Sequence, residues 1–346
     1  MKHLYCCLIV SLAAITSYAG AAVNVTVDNF VRAETDTYMQ GMVKDAGLGK
    51  LKHHRKMTPI EAQSVVRPNR DTLYSAGVFD LEAGPVTVSL PDLDNRYMSM
   101  ADVSQDHYIS KMVHAPAKYT YTKDKVGTRY MALLIRTLAN PEDLQDMKAA
   151  TEAQDKIVIE QAAPGSFVIP NYNVASLKKV RGLLKQLAAT KAGDFRDAFG
   201  DKVEVNPTTH LLGAAAGWGG NPKEESMYIG VEPKDNSGKT AYRLTVGQVP
   251  VDAFWSISVY NAAGFFVKNS RNAYTINNLT AKKADDGTVT VQFGECQKDV
   301  VNCLPIMKGW NYMVRMYRPQ DSILKGVWKF PEAEPLHQPK KLSQLD

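Results

Sequence analysis

The run Asn69-Arg70-Asp71-Thr72-Leu73-Tyr74 gathers an amide, a guanidinium, a carboxylate and a phenol just ahead of a strand-like segment. An arginine can grip an anionic group through two parallel hydrogen bonds, and an aspartate can act as a base. The same residues also suit a structural Arg–Asp network in which Asn69 holds a turn. A second group is Asp106-His107-Tyr108, directly after the strand-like stretch from Tyr97 to Val103. Histidine is the usual acid or base near neutral pH, and loops after strands commonly carry sites. Asp71, His107 and Arg70 are therefore the catalytic candidates.

Farther along, Trp255, Tyr260, Asn269, Arg271, Asn272, Tyr274, Asn277 and Asn278 fall within 24 positions. Aromatic faces beside amides stack on C–H surfaces and satisfy hydroxyls, as a sugar or another small polar ligand requires. The same set fits the core and buried turns of a β-sandwich, and Trp255 lies within an apolar strand. Trp218, between glycines, reads as the lining of a cleft. The ligand-binding candidates are Asn69, Tyr74, Trp218, Trp255, Asn269 and Arg271. His210 opens a helix face and reads as structural.

Other chemistries are disfavoured by what the chain does not spell. There is no H-E-x-x-H and no acidic calcium loop, so neither metal nor cofactor is expected. No G-x-G-x-x-G or Walker loop occurs. Ser75 has Gly77 two places after it but Leu73 two places before, so it fails the G-x-S-x-G nucleophile elbow. The 346 residues carry a formal charge of +5 with no long basic block, which argues against nucleic acid as a partner. The expected partner is an unidentified small polar ligand.

Residues 1–21 read as an export signal: Lys2 and His3, an apolar stretch from Leu4 to Ile15, and the A-x-A site Ala19-Gly20-Ala21. Cleavage after Ala21 would send the chain to the periplasm or outside the cell. The apolar stretch is short for a spanning helix of about 20 residues, so no stable membrane insertion is expected after cleavage. Two cysteines then remain, Cys296 and Cys303, with six residues between them. An even pair in an exported chain reads as a disulfide, worth roughly 2–3 kcal/mol for so short a loop.

These side chains need elements to position them. A helix is expected from Val23 to Leu48, with Asp28 as N-cap and Gly47 as terminator. From Ser64 to Arg136 short strands alternate with turn signals, for example Val86, Val88 and Leu90 separated by Thr87 and Ser89. This spacing argues for an antiparallel sandwich or barrel. The middle reads as helical: Asn140 as an N-cap with Pro141 behind it, an amphipathic helix from Ala175 to Thr190 with the stripe Leu177, Val180, Leu184 and Leu187, and a short helix from Pro207. Strands return from Met227, with a hairpin turn at Ala284-Asp285-Asp286-Gly287. The tail after Glu332 is polar and reads as frayed.

Several long motifs carry a resemblance. Arg67 to Ser75, Leu81 to Pro91 and Arg96-Tyr97 resemble the domain of unknown function DUF1254. Phe254 to Tyr260, Gly264-Phe265-Phe266, Asn269, Asn272, Tyr274, Asn278, Asn302 to Pro305, Met313 to Pro319 and Val327 to Pro331 resemble DUF1214. The run at 215–222 is similar to these proteins as well. The resemblance implies two jelly-roll-like β domains joined by helices. It carries no catalytic set across, and at Cys303 it leads one to expect Trp, which makes the disulfide a subgroup feature. The resulting reading is mainly β with a helical connector (α+β), two jelly-roll-like antiparallel β-sandwich domains plus an amphipathic helical segment. Its parts are a signal at 1–21, a DUF1254-like domain with its N-terminal helix at 22–139, a helical connector at 140–226, a DUF1214-like domain at 227–333 and a polar tail at 334–346. The expected function is a metal-independent, hydrolase-like enzyme acting on a small polar or carbohydrate-like ligand in an inter-domain pocket. The alternatives are a non-catalytic periplasmic binding module or an envelope interaction protein.

Overall fold

The computed structural model describes residues 21–63, 65–191 and 195–336, so the expected signal lies outside the described residues apart from Ala21. The chain opens with α1 (Phe30–Ala46), then β1 (Lys52–His53), β2 (Thr72–Asp80), β3 (Val86–Leu90), β4 (Met98–Ser104), β5 (Met112–His114), β6 (Ala117–Tyr121), α2 (Lys123–Val126) and β7 (Tyr130–Leu138). It continues through α3 (Leu144–Asp155), β8 (Val158–Glu160), α4 (Val174–Ala189) and α5 (Pro207–Gly217). The last part holds β9 (Ser226–Val231), β10 (Tyr242–Val246), β11 (Trp255–Tyr260), β12 (Thr275–Asn277), β13 (Val289–Phe293), β14 (Cys303–Leu304), β15 (Asn311–Tyr317), α6 (Asp321–Leu324) and β16 (Glu334–Pro335).

The first sandwich pairs a five-stranded sheet, β1-β2-β7-β4-β5, with a three-stranded one, β6-β3-β8. Alternation in β3 sends Val86, Val88 and Leu90 inward against Phe79, Met98, Met100, Leu133 and Ile135. Burying each such side chain contributes about 1.5–3 kcal/mol. The opposite face of the five-stranded sheet is covered too. There Val78, Ala101, Val103, Ala132 and Leu134 pack with Met39 of α1, Phe167 and Trp218. Strand β7, Tyr-Met-Ala-Leu-Leu-Ile-Arg-Thr-Leu, is consequently buried along its whole length, its arginine included.

Helices α1, α4 and α5 form a layer around Phe30, Ala33, Leu177, Leu184, Leu212 and Ala215. Asn173 and Asn206 cap α4 and α5, their side chains accepting from Ser176 N and Thr209 N. The second sandwich pairs β12-β11-β15-β9 with β14-β13-β10-β16. Its core holds Leu244, Ile257, Val259, Val291, Trp310 and Val314. With eight strands in each sandwich among the described residues, antiparallel apart from the β13–β14 pair, the α+β sandwich reading holds. The Cys296–Cys303 disulfide is present.

Some local expectations need correction. Helix α3 starts at Leu144 under an Asp143 cap, because Asn140 closes a tight turn by accepting from Glu142 N. Asn29, not Asp28, precedes α1, and its side chain bonds Thr26 N and Asn24 O in the incoming loop. Leu187 is exposed at 55%, so the buried stripe of α4 stops short of it. Ala284–Gly287 does make a tight turn, yet the strands on either side belong to different sheets, so it joins no hairpin. Glu334 and Pro335, placed in the tail, pair with β10 as an edge strand.

Candidate functional site

Strand alternation gives the second sandwich a polar outer face. Trp255, Ile257 and Val259 of β11 point into its core, so Phe254, Ser256, Ser258 and Tyr260 point out. By register Ser256 stands beside Asn277 and Arg315, while Tyr228 stands beside Arg315 and Ser226 beside Tyr317. The first sandwich meets this face through residues 67–74 and the near ends of β4 and β7. The apolar contact joins Tyr97 and Leu138 to Phe254 and Tyr317, whose rings stack at 4.0 Å.

Asp71 sits in this seam and is fully buried. Its Oδ2 accepts from Ser256 Oγ at 2.6 Å, and its Oδ1 from Asn277 Nδ2 at 3.1 Å and Thr275 Oγ1 at 3.4 Å. Burial pushes its carboxyl above the ordinary range, against the pull of Arg315 and these donors. Arg315 donates to Ser258 Oγ, Tyr260 Oη and the Arg67 carbonyl, while Tyr260 donates to the Pro68 carbonyl. Asn69 donates to Tyr317 Oη at 2.6 Å and accepts from Asp71 N. The motif thus clamps one sandwich to the other. Arg70 turns aside: it donates to the Thr58 carbonyl and lies 5.2 Å from the Tyr274 ring centroid.

Next to this clamp lies a different group. Tyr74, Arg136 and Ser99 are cross-strand neighbours on β2, β7 and β4, so their side chains share a face. Arg136 is only 5% exposed. Its Nη2 donates to the Gly219 carbonyl at 2.6 Å and its guanidinium lies 5.6 Å from the Tyr74 ring centroid. Among the described residues Nη1 makes no hydrogen bond and no carboxylate forms an ion pair with the guanidinium. The phenols of Tyr74, Tyr228, Tyr317 and Tyr97 surround it within electrostatic reach. The Tyr97 hydroxyl lies beside Ser99 Oγ without the geometry of a hydrogen bond, and both are unpaired, as are Thr72 Oγ1 and Asn221 Oδ1. Buried polar atoms are normally satisfied, so the unpaired ones beside this buried cation call for a partner from outside the protein, ordered water or a ligand. Tyr74 and Tyr228 are half-buried at its margin.

Gly219 joins this group to His107. Its N–H donates to His107 Nε2 at 2.9 Å while its carbonyl holds Arg136. Gly219 has φ +76°, and a Cβ there would meet Leu134 at 3.1 Å, so glycine is needed at the crossing. At Gly220 a Cβ would strike the Phe199 ring at 2.3 Å. His107 is itself buried, packed against Phe199, His210 and Trp218. Desolvation, helped by His210, brings its pKa down to about 3, which keeps the ring neutral near pH 7. Its Nδ1 is unpaired.

Asp71 and His107 are therefore held in separate networks, as is Arg70. Of the binding candidates, Asn69 and Tyr74 lie in the seam. Trp218 stacks on Tyr38 at 4.4 Å and donates to Thr35 Oγ1 within the helical layer. Trp255 is on the core face against Phe330. Asn269 folds its own loop through Ala273, and Arg271 grips the carbonyls of Gln297 and Val300 in the disulfide loop. Ser75 does meet a histidine, His53 Nδ1 at 2.7 Å, but it is fully buried and its oxygen also takes a hydrogen bond from Gln154. A surface cleft of about 420 Å³ lined by Asp92, Arg96, Asp146, Glu152 and Lys156 contains none of these residues, and its Arg96 and Asp146 neutralise each other at 2.6 Å.

Arg136 is not among the candidates named from the sequence. The signal was available: one arginine inside an otherwise apolar run of strand length, where a charge is rarely tolerated without a purpose.

Family models match the chain over both halves of the seam, "Protein of unknown function (DUF1254)" at residues 48–161 and "Protein of unknown function (DUF1214)" at residues 229–321. The chain belongs to the DUF1254/DUF1214 family. Asn69, Asp71, Tyr97 and Arg136 fall in its DUF1254 region, and Ser256, Asn277, Arg315 and Tyr317 in its DUF1214 region. Among solved structures it is similar to the VPA0106 protein of Vibrio parahaemolyticus, with TM-score 0.67 and 18% identity over 90% of this chain and 98% of that one. It is also similar to a putative uncharacterized protein from Burkholderia cenocepacia, with TM-score 0.50 and 14% identity over 85% of this chain and 84% of that one. These likenesses speak to fold. No curated protein matches the chain.

Proposed function

We propose that the protein is an exported ligand-binding module that holds one small polar molecule in the seam between its two sandwiches. The observation that carries this reading is the buried, unpaired Nη1 of Arg136 amid the unpaired hydroxyls of Tyr97, Ser99 and Thr72. An enzyme of the expected kind needs an acid and a base aimed at a shared space. Asp71 spends its oxygens on Ser256, Asn277 and Thr275, and His107 spends Nε2 on Gly219, so binding accounts for the groups better than turnover. The disulfide suits an oxidising compartment, and no helix among the described residues is long and apolar enough to cross a membrane.

The test is calorimetric titration of the chain from Ala22 with a panel of small polar metabolites, alongside a Ser99→Phe variant that sets a ring beside Arg136. Saturable binding to the parent, lost in a folded Ser99→Phe variant, supports the reading. Turnover of a panel member that depends on Asp71 or His107 would return the enzyme reading to the front.

A further inference from the structure

We propose that Arg136 is a carboxylate receptor, and that the molecule held in the seam is a small hydroxylated monocarboxylate, of the hydroxy-acid or sugar-acid class. This rests on the binding reading above and names the chemistry of its ligand.

Charge balance comes first. A guanidinium stays protonated at any accessible pH, and leaving one buried without a counter-charge is strongly unfavourable. The neighbouring carboxylates are already engaged. Glu225 pairs with His114 at 2.7 Å, and Asp71 is enclosed by its three donors with Arg315 nearby. What surrounds Arg136 is neutral phenol and hydroxyl. One uncompensated positive charge fits a monoanion; a phosphate dianion calls for more cationic charge than Arg136 alone supplies.

Geometry points the same way. The Gly219 carbonyl fixes Nη2 and the Tyr74 ring lies near the guanidinium, so Nη1 is held as a free donor. Planar guanidinium and planar carboxylate are matched in shape, and a pre-positioned donor lowers the cost of binding. Ser99, the cross-strand partner of Arg136, and Tyr97 beside it bring hydroxyls for the remaining lone pairs of the carboxylate. Asn221, two residues beyond Gly219, leaves its Oδ1 unpaired while its Nδ2 donates to Ser226. A free acceptor on the segment that holds Arg136 favours a ligand with a hydroxyl of its own.

The experiment uses the chain from Ala22 and an Arg136→Met variant, which keeps the volume and removes the charge. D-glucuronate, D-gluconate and lactate are compared with the neutral D-glucose and D-glucuronamide and with inorganic phosphate, by thermal shift and calorimetry. The expected result is that at least one monocarboxylate saturates the parent and raises its Tm by several degrees at high excess. The neutral analogue and phosphate should not, and Arg136→Met should weaken that binding by roughly 30-fold or more. Without ligand, Arg136→Met should melt no lower than the parent, because it removes an unpaired buried charge. If neutral sugars bind the parent and the variant equally, the carboxylate assignment falls and the binding reading stands. If phosphate binds and the monocarboxylates do not, the ligand class is wrong. If nothing in the panel binds and Arg136→Met melts far below the parent, Arg136 is a structural residue and both readings fall.

Discussion

Replacing Asp71 with alanine separates a clamp from a catalyst. The carboxylate takes hydrogen bonds from Ser256 and Asn277, both fully buried, and a longer one from Thr275. Truncation leaves two buried donors without acceptors, at about 1–3 kcal/mol each. It also removes a carboxylate that interacts with the buried Arg315. Removing one partner from a buried charged network typically costs about 3–5 kcal/mol, and the two routes agree. At about 2.1 cal/mol/K of unfolding entropy per residue, 1 kcal/mol moves Tm by roughly 1.5 °C for a chain of this size, so Asp71→Ala should melt about 4–8 °C below the parent. Asp71→Asn keeps the shape: its oxygen can serve Asn277, and its amide can donate to a Ser256 hydroxyl turned to accept. It should lose less than half as much. Calorimetric scans of the three proteins under identical conditions give the answer. If Asp71→Ala melts within about 1 °C of the parent, the clamp argument is wrong.

Other outcomes follow from the same packing. Burial lifts the Asp102 carboxyl to about 6, above its ordinary value near 3.9. The folded state therefore favours its protonated form, so its stabilisation is complete below about pH 4 and is lost as pH rises through 6, by roughly 3 kcal/mol in all. In urea unfolding Asp102→Asn should therefore gain on the parent as pH rises from about 4 to above 6, and taking the difference between the two proteins cancels the opposite slope expected of His107, which both carry. Trp255→Ala should cost about 3–5 kcal/mol in denaturant unfolding, because Trp255 fills the second core. Replacing Cys296 and Cys303 together by alanine should lower the unfolding free energy by roughly 2–3 kcal/mol, and adding reductant to the parent should match it.

Much of the scaffold was legible because it follows local rules. Val86-Thr87-Val88-Ser89-Leu90 states its own inside and outside, Asn206-Pro207 starts a helix, and Cys296 with Cys303 can meet in a short loop. The polar motif at 69–74 was also visible, but not what it does. Asp71 finds its partners 185 and 206 positions away, on residues whose outward facing depends on which side of β11 and β12 the core occupies. Trp255 looked like a ligand platform because an aromatic beside amides suits both a sugar and a core, and strand parity decided for the core. His107 looked like an acid–base group because its type allows that role, while its burial depends on Phe199, His210 and Trp218 arriving from elsewhere in the chain. Arg136 is the instructive omission: an arginine inside a buried strand conflicts with local pattern, and such conflicts concentrate at functional sites.

The most direct measurement is a crystal structure of the chain from Ala22 grown with the tightest-binding monocarboxylate. A carboxylate is expected within hydrogen-bond distance of Arg136 Nη1, with Ser99 Oγ or Tyr97 Oη completing its contacts. A ligand bound away from Arg136, or a guanidinium that pairs with a carboxylate of the protein itself, would contradict it.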